Sequence, residues 1–190
     1  DSSNIANGNI HVKAPNINST LTYAAIHGYR SDASFDIRWK NSVVLNGRTV
    51  LGNIRRDGVN YPDRLAISSP LTFDAFPKDL DGDVYLNDGE DINGLAGFAD
   101  KLLVFKRNML YIINFTDPDS WFIEGQYSNM GVVHKCGIVT SDYGISWINP
   151  ETGVYHYDGS QIVELSKGKI DFDDWGVDLT TNGELMPKYK

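Results

Sequence analysis

The feature that most limits what this chain can fold into is a strand-hairpin unit that occurs twice, 42 to 44 residues apart. One copy spans Ala99 to Ile113 and the other Ser141 to Tyr157. Laid over each other, Asp100 falls on Asp142 and Phe105 on Trp147. Tyr111 falls on Tyr155 once the second hairpin is given two extra residues. Short strands recurring with a period of roughly 40–45 residues are the signature of β-propeller blades. A single blade cannot bury both of its faces, so the repeat predicts that these units stack against one another.

The rest of the chain fits that reading. In residues 41–69, Asn46-Gly47 and Arg56-Asp57-Gly58 are hairpin turns between strand-like runs, Ser42–Gly47, Thr49–Ile54 and Asp63–Ser68. This is an earlier, more divergent blade. Residues 70–91 read as loop, with a short strand near Asp83–Leu86. The first clear blade has strands at Ile92–Phe98, Lys101–Lys106, Met109–Phe115 and Trp121–Tyr127. The second has strands at Gly137–Ser141, Gly144–Ile148, Gly153–Tyr157 and Gln161–Leu165, with Asp158-Gly159 as a turn. The expected fold class is therefore all-β: propeller-like blades of short antiparallel strands, forming an incomplete propeller or part of a larger one. Closed propellers have roughly 4–8 blades, and residues 41–170 hold about three. Residues 1–40 form an Asn- and Ser-rich arm with one candidate strand, Ser34–Lys40, where Phe35, Ile37 and Trp39 alternate. Residues 171–190 are a polar tail. A start at Asp1 without Met reads as a processed product, a fragment or the visible part of something longer.

The net charge of −8 argues against gripping nucleic-acid phosphates, which needs a basic patch. The one basic pair of note, Arg55-Arg56, reads as part of a solvated turn. The single cysteine, Cys136, excludes an intrachain disulfide and reads as a small buried hydrophobe in a strand. No apolar run approaches the roughly 18 residues of a membrane-spanning helix.

Few motifs carry chemistry. Thr140-x-Asp142-x-Gly144-x-Ser146-Trp147 fits the Asp-box of sialidase-type propellers. There the Asp can satisfy turn amides, Gly adopts the special dihedral and Trp packs into the blade. The box is structural, and no arginine cluster singles itself out for a sialic-acid carboxylate. The loop 79–90 places oxygen ligands at Asp79, Asp81, Asp83, Asn87 and Glu90, with the spacing of a calcium loop. Val84 stands where that loop needs Gly, so a solvated acidic turn is the plainer reading. The histidines His11, His27, His134 and His156 lack metal-ligand spacing. His156 should point to the strand face opposite Tyr155 and Tyr157. Trp39, Phe105, Tyr111, Trp121, Trp147 and Tyr155 could stack sugars, but packing between blades is the simpler use. No catalytic, cofactor-binding or metal-ligating residue is assigned, no cofactor is expected, and the chain reads as a non-enzyme.

Lys40–Ile54, Tyr61–Leu65 and Phe73–Pro77 resemble segments of tail structural proteins of podovirus-like bacteriophages. Leu102–Lys106, Leu110–Ile113 and Gly153–Gly159 extend the resemblance over roughly residues 38–165. It implies a nozzle- or hub-type β-propeller of the virion tail, assembled in the host cytoplasm into a ring beneath portal and adaptor. Its partners would be copies of itself and neighbouring tail proteins, with passive contact with exiting DNA and none with membrane. An acidic channel wall would let DNA slide during ejection. The chain is shorter than typical nozzle-like proteins. Two other readings stand beside this one: a carbohydrate-binding propeller or tail adhesin, and a sialidase-like glycoside hydrolase fragment.

Overall fold

The computed structural model describes residues 37–71, 73–77, 80–84, 90–169, 177–179 and 185–187. Within them the chain makes three four-stranded antiparallel sheets in which sequential strands are neighbours. Blade I is β1 (Ile37–Leu45), β2 (Arg48–Arg56), β3 (Val59–Ile67) and β4 (Gly82–Asp83). Blade II is β5 (Gly94–Phe98), β6 (Lys101–Phe105), β7 (Met109–Asn114) and β8 (Phe122–Ser128). Blade III is β9 (Ile138–Ser141), β10 (Gly144–Asn149), β11 (Gly153–Tyr157) and β12 (Ile162–Glu164). A two-stranded hairpin, β13 (Val177–Leu179) and β14 (Leu185–Pro187), comes after them.

The hairpins form where backbone chemistry favours them. Asn46-Gly47 and Asp57-Gly58 each put two consecutive residues at positive φ, 48° and 71° in the first and 53° and 80° in the second. This is the primed turn whose twist matches its flanking strands. At Gly144 φ is +138°, and an added Cβ would lie 2.0 Å from the Tyr157 carbonyl oxygen, so only glycine fits.

Alternation along each strand then builds two inter-blade cores. Leu45, Val50, Leu65 and Ile67 of blade I meet Leu102, Val104, Tyr111 and Ile113 of blade II. Leu103, Phe105, Leu110 and Ile112 of blade II meet Ile145, Trp147, Tyr155 and Tyr157 of blade III. Blade II is thus apolar on both faces. Each such side chain contributes about 1.5–3 kcal/mol on burial, against about 0–1 kcal/mol for an exposed ion pair. The cores, not the surface charges, hold the stack together.

The blades converge at their first strands. A Cβ at Gly94 of β5 would lie 2.3 Å from Ile138 of β9, and one at Gly97 would lie 3.2 Å from Leu45 of β1. Small residues on β5 let its two neighbours approach, which makes β1, β5 and β9 the hub of a fan. The last strands lie at its rim, where β8 is mostly exposed.

Several expectations change. The strands read at 34–40 and 42–47 are, where described, one strand, β1, so a boundary at residue 40 falls inside it. A bulge opposite Asn53 (φ 55°) breaks the alternation along β2: the register shifts between Gly52 and Ile54. As a result Gly52 faces blade II while Ile54 packs on the opposite side with Leu51 and Phe76. The repeat register also moves by one. The turns are Ala99-Asp100 and Asp142-Tyr143, so Val104, not Phe105, is the counterpart of Trp147. The Tyr111–Tyr155 match stands, because each tyrosine is the cross-strand partner of that shared position. Phe105 instead meets Trp147 across the blade II–III interface. The segment 171–190 contains β13 and β14. His11, His27 and the arm up to residue 36 lie outside the described residues.

The Asp158-Gly159 turn carries a pH signature. Asp158 Oδ1 accepts from the Gln161 and Ser160 amides, at 2.9 and 2.8 Å, and from the Ser160 hydroxyl. These bonds, the backbone amides first, hold its pKa down at about 2. A depressed carboxylate stabilises the fold above its ordinary pKa, and that contribution disappears as pH falls through the folded value. Thermal melts should therefore show a loss between about pH 4 and pH 2 that is reduced in Asp158→Ala. Identical pH profiles for the two proteins would contradict the turn geometry.

Candidate functional site

The connecting segments that lead into β5 and β9 meet β1 at one edge of the hub, and a depression of about 650 Å³ opens there. It is built on the bulge. Asn41 and Asn53 both donate to the Ile92 carbonyl, at 2.9 and 3.3 Å, fixing the connection to blade I. Asn93 donates to the Val132 carbonyl at 2.9 Å and does the same for the next connection. The floor of the depression is thus polar side chains bound to backbone.

Its rim carries both signs of charge. Lys40 and Asp91 pair at 3.3 Å with both side chains about half-exposed or more, and Asn53 also donates to Asp91. Glu90 accepts from the Asn108 amide and side chain. Arg107 and Lys135 also line the depression. His134 Nδ1 accepts from the Cys136 amide at 3.2 Å, capping a 3-10 turn at Lys135–Gly137. Beside the depression lies a smaller one of about 390 Å³ with Trp39, Asn60 and Arg55 on its walls. Trp39 is 50% exposed. Such an arrangement can exchange hydrogen bonds with a polyhydroxylated or zwitterionic ligand.

The sequence candidates are dispersed. Phe105, Tyr111, Trp147 and Tyr155 are buried between blades, and Trp121 packs against the first core. Only Trp39 of that aromatic set is open to a ligand. In the Asp-box segment, Trp147 and Gly144 take the expected structural parts, and Trp147 Nε1 donates to the Met130 carbonyl at 2.9 Å. Asp142 does not. It is exposed, and the Ser141 hydroxyl accepts from the Tyr143 amide in its place. His156 does point away from Tyr155 and Tyr157. Its Nδ1 lies 2.9 Å from Ser146 Oγ, a cross-strand contact remote from the depression.

Three charge and thiol assignments are corrected. Arg56 is no solvated turn residue: it is 5% exposed, pairs with Asp81 at 3.1 Å and donates to the Phe76 carbonyl. Asp81 is therefore bound to an arginine rather than facing water, while Glu90 accepts from Asn108 in an exposed contact. Asp79, Tyr85 and Asn87 of that loop lie outside the described residues. Among the described residues, no group of three His, Cys, Asp or Glu is placed to hold a metal ion. Cys136 is exposed in the 3-10 turn, not buried in a strand. Its neighbours looked strand-like because the apolar residues Val132 and Ile138 flank it, but the hub connection curls between them.

Among the described residues, the hub strands carry no carboxylate. The only charged residues on β1, β5 and β9 are Arg38 and Lys40, and the exposed positions Ser42, Thr140 and Ser141 are neutral. The excess of carboxylates lies off those strands.

The fold defines an all-β protein of stacked, propeller-like blades. No protein-family model matches the sequence, and no curated protein gives a significant match. Among solved structures, the chain is similar to the crystal structure of the N-terminal domain of Nup159, with 12% identity and a TM-score of 0.44. The match covers 80% of this chain and 43% of that one, so the chain spans less than half of the structure it matches. The blade assignment rests on the three sheets themselves.

Proposed function

We propose that the chain is a non-enzymatic structural component of a bacteriophage tail, of the nozzle or hub type. It assembles with copies of itself and neighbouring tail proteins around the DNA exit channel. One observation carries this reading: most of the segments that bear the resemblance are wall-building ones. Lys40–Ile54 lies on β1 and β2, Phe73–Pro77 includes Phe76, which covers blade I, and Leu102–Lys106 with Leu110–Ile113 supplies both cores of blade II. Contact with exiting DNA is passive, along hub strands that are short and carry few charges, Arg38 and Lys40. Quantitative peptide mass spectrometry on purified phage particles tests the proposal. A fixed copy number comparable to the portal is expected, and absence from particles overturns it.

A second reading, a carbohydrate-binding propeller or tail adhesin, is favoured by Trp39. A half-exposed indole beside Asn60 and Asp91 offers a stacking face with adjacent hydrogen-bonding groups. Glycan-array binding that disappears in Trp39→Ala would move the assignment there. Hydrolysis of a fluorogenic sialoside would instead favour the glycoside hydrolase fragment.

A further inference from the structure

The stack ends on an apolar face. In blades I and II the side turned toward the following blade is buried, through Leu45, Val50, Leu65 and Ile67 in one and Leu103, Phe105, Leu110 and Ile112 in the other. The same side of blade III carries Val139, Ile148, Val154 and Val163. Val139 is 62% exposed and Val163 41% exposed, and Ile148 and Val154 are half-buried. The cross-strand registers place Val139, Ser146, His156 and Val163 in one row over this face.

The chain after blade III has the form of a covering. Each blade is succeeded by a short connection and then by the first hairpin of the next. Ten residues (84–93) separate β4 from β5, nine (129–137) separate β8 from β9, and twelve (165–176) separate β12 from β13. β13 and β14 are an antiparallel pair, as β5–β6 and β9–β10 are. Val177 stands opposite Pro187 and Leu179 opposite Leu185, so apolar residues occupy alternate register positions of the hairpin.

We infer that the hairpin Val177–Pro187 is the opening pair of a fourth blade and seats on the exposed face of blade III, with β13 beside β9 at the hub. The occupant is this chain's own segment because order, connection length and antiparallel pairing all continue the established pattern. A repeat unit is stabilised mainly by its neighbour, so seating over Val139 and Val163 would give the hairpin a neighbouring face to pack on.

Thiol accessibility in the full chain tests this, in a Cys136→Ser background. Val163→Cys reports on the face, and Tyr143→Cys, in a turn that is 83% exposed, is the unprotected reference. Val163→Cys should react with an aromatic disulfide reagent about tenfold more slowly than Tyr143→Cys, the protection expected of a face that opens only locally. Adding Leu179→Lys and Leu185→Lys should restore the faster rate. Equal rates for Val163→Cys and Tyr143→Cys, a comparison that leaves the hairpin intact, overturn the proposal. So does protection that survives the lysine pair, and so does protection that fades on dilution, which would mean that a second copy covers the face.

Discussion

Trp147→Ala should lower the stability of the chain by about 3–5 kcal/mol, the range for deleting a large, fully packed aromatic side chain. Trp147 is 2% exposed. It meets Phe105 edge-on at 5.3 Å between centroids and stacks on Tyr155 at 5.6 Å. Alanine would remove both ring contacts and leave the Met130 carbonyl without its indole donor. Because the ring sits at the centre of the blade II–III interface, the loss falls on stacking rather than on blade III alone. Urea unfolding monitored by far-ultraviolet circular dichroism measures it. A change below about 1 kcal/mol, typical of surface substitutions and their near neighbours, would contradict the inter-blade core. Trp147→Phe keeps much of the volume and should recover the larger part of the loss.

Arg56→Ala is the second large effect, also expected at about 3–5 kcal/mol, because removing one partner of a buried ion pair leaves the other charge uncompensated. Both side chains are nearly closed to water, at 5% and 9% exposure, and the guanidinium also holds the Phe76 carbonyl. Replacing both partners with apolar residues, Arg56→Met with Asp81→Leu, should be far milder than Arg56→Ala alone, because neither charge is then buried. A double-mutant cycle by chemical denaturation measures the coupling. If the losses of Arg56→Met and Asp81→Leu taken singly add up to the loss of the double variant, the pair is not coupled and does not tie Asp81 to blade I. Lys40–Asp91 stands in contrast: that pair is well exposed and should contribute about 0–1 kcal/mol.

Much of this architecture is readable along the chain. Asn46-Gly47, Asp57-Gly58 and Asp158-Gly159 announce their turns because those residues reach positive φ cheaply. The strands of blades II and III fall within about two residues of their expected ends, the usual latitude of strand boundaries. The candidate depression was not readable. Its walls come from β1, two inter-blade connections and the β6–β7 turn, which share no spacing in sequence. The one local sign was Asn-rich chemistry at Asn41, Asn53 and Asn93, each of which anchors a connection rather than a ligand.

Arg56 and Cys136 show the same limit from opposite directions. A charged residue beside a turn looks solvated until a carboxylate from a separate loop is known to reach it. A cysteine between apolar residues looks buried until the connection is seen to curl outward.

What the sequence determined by itself was local and periodic: turns, strand lengths, a two-residue alternation and a blade-length repeat. Those arise from backbone dihedral preferences and from the need to put apolar side chains on the faces of a pleated sheet. Only the tertiary structure decided which face meets which neighbour. Alternation specifies two faces but not their partners, and a one-residue shift exchanges them. That is why Phe105 is the counterpart of Ile148 in the repeat yet the contact of Trp147 in space.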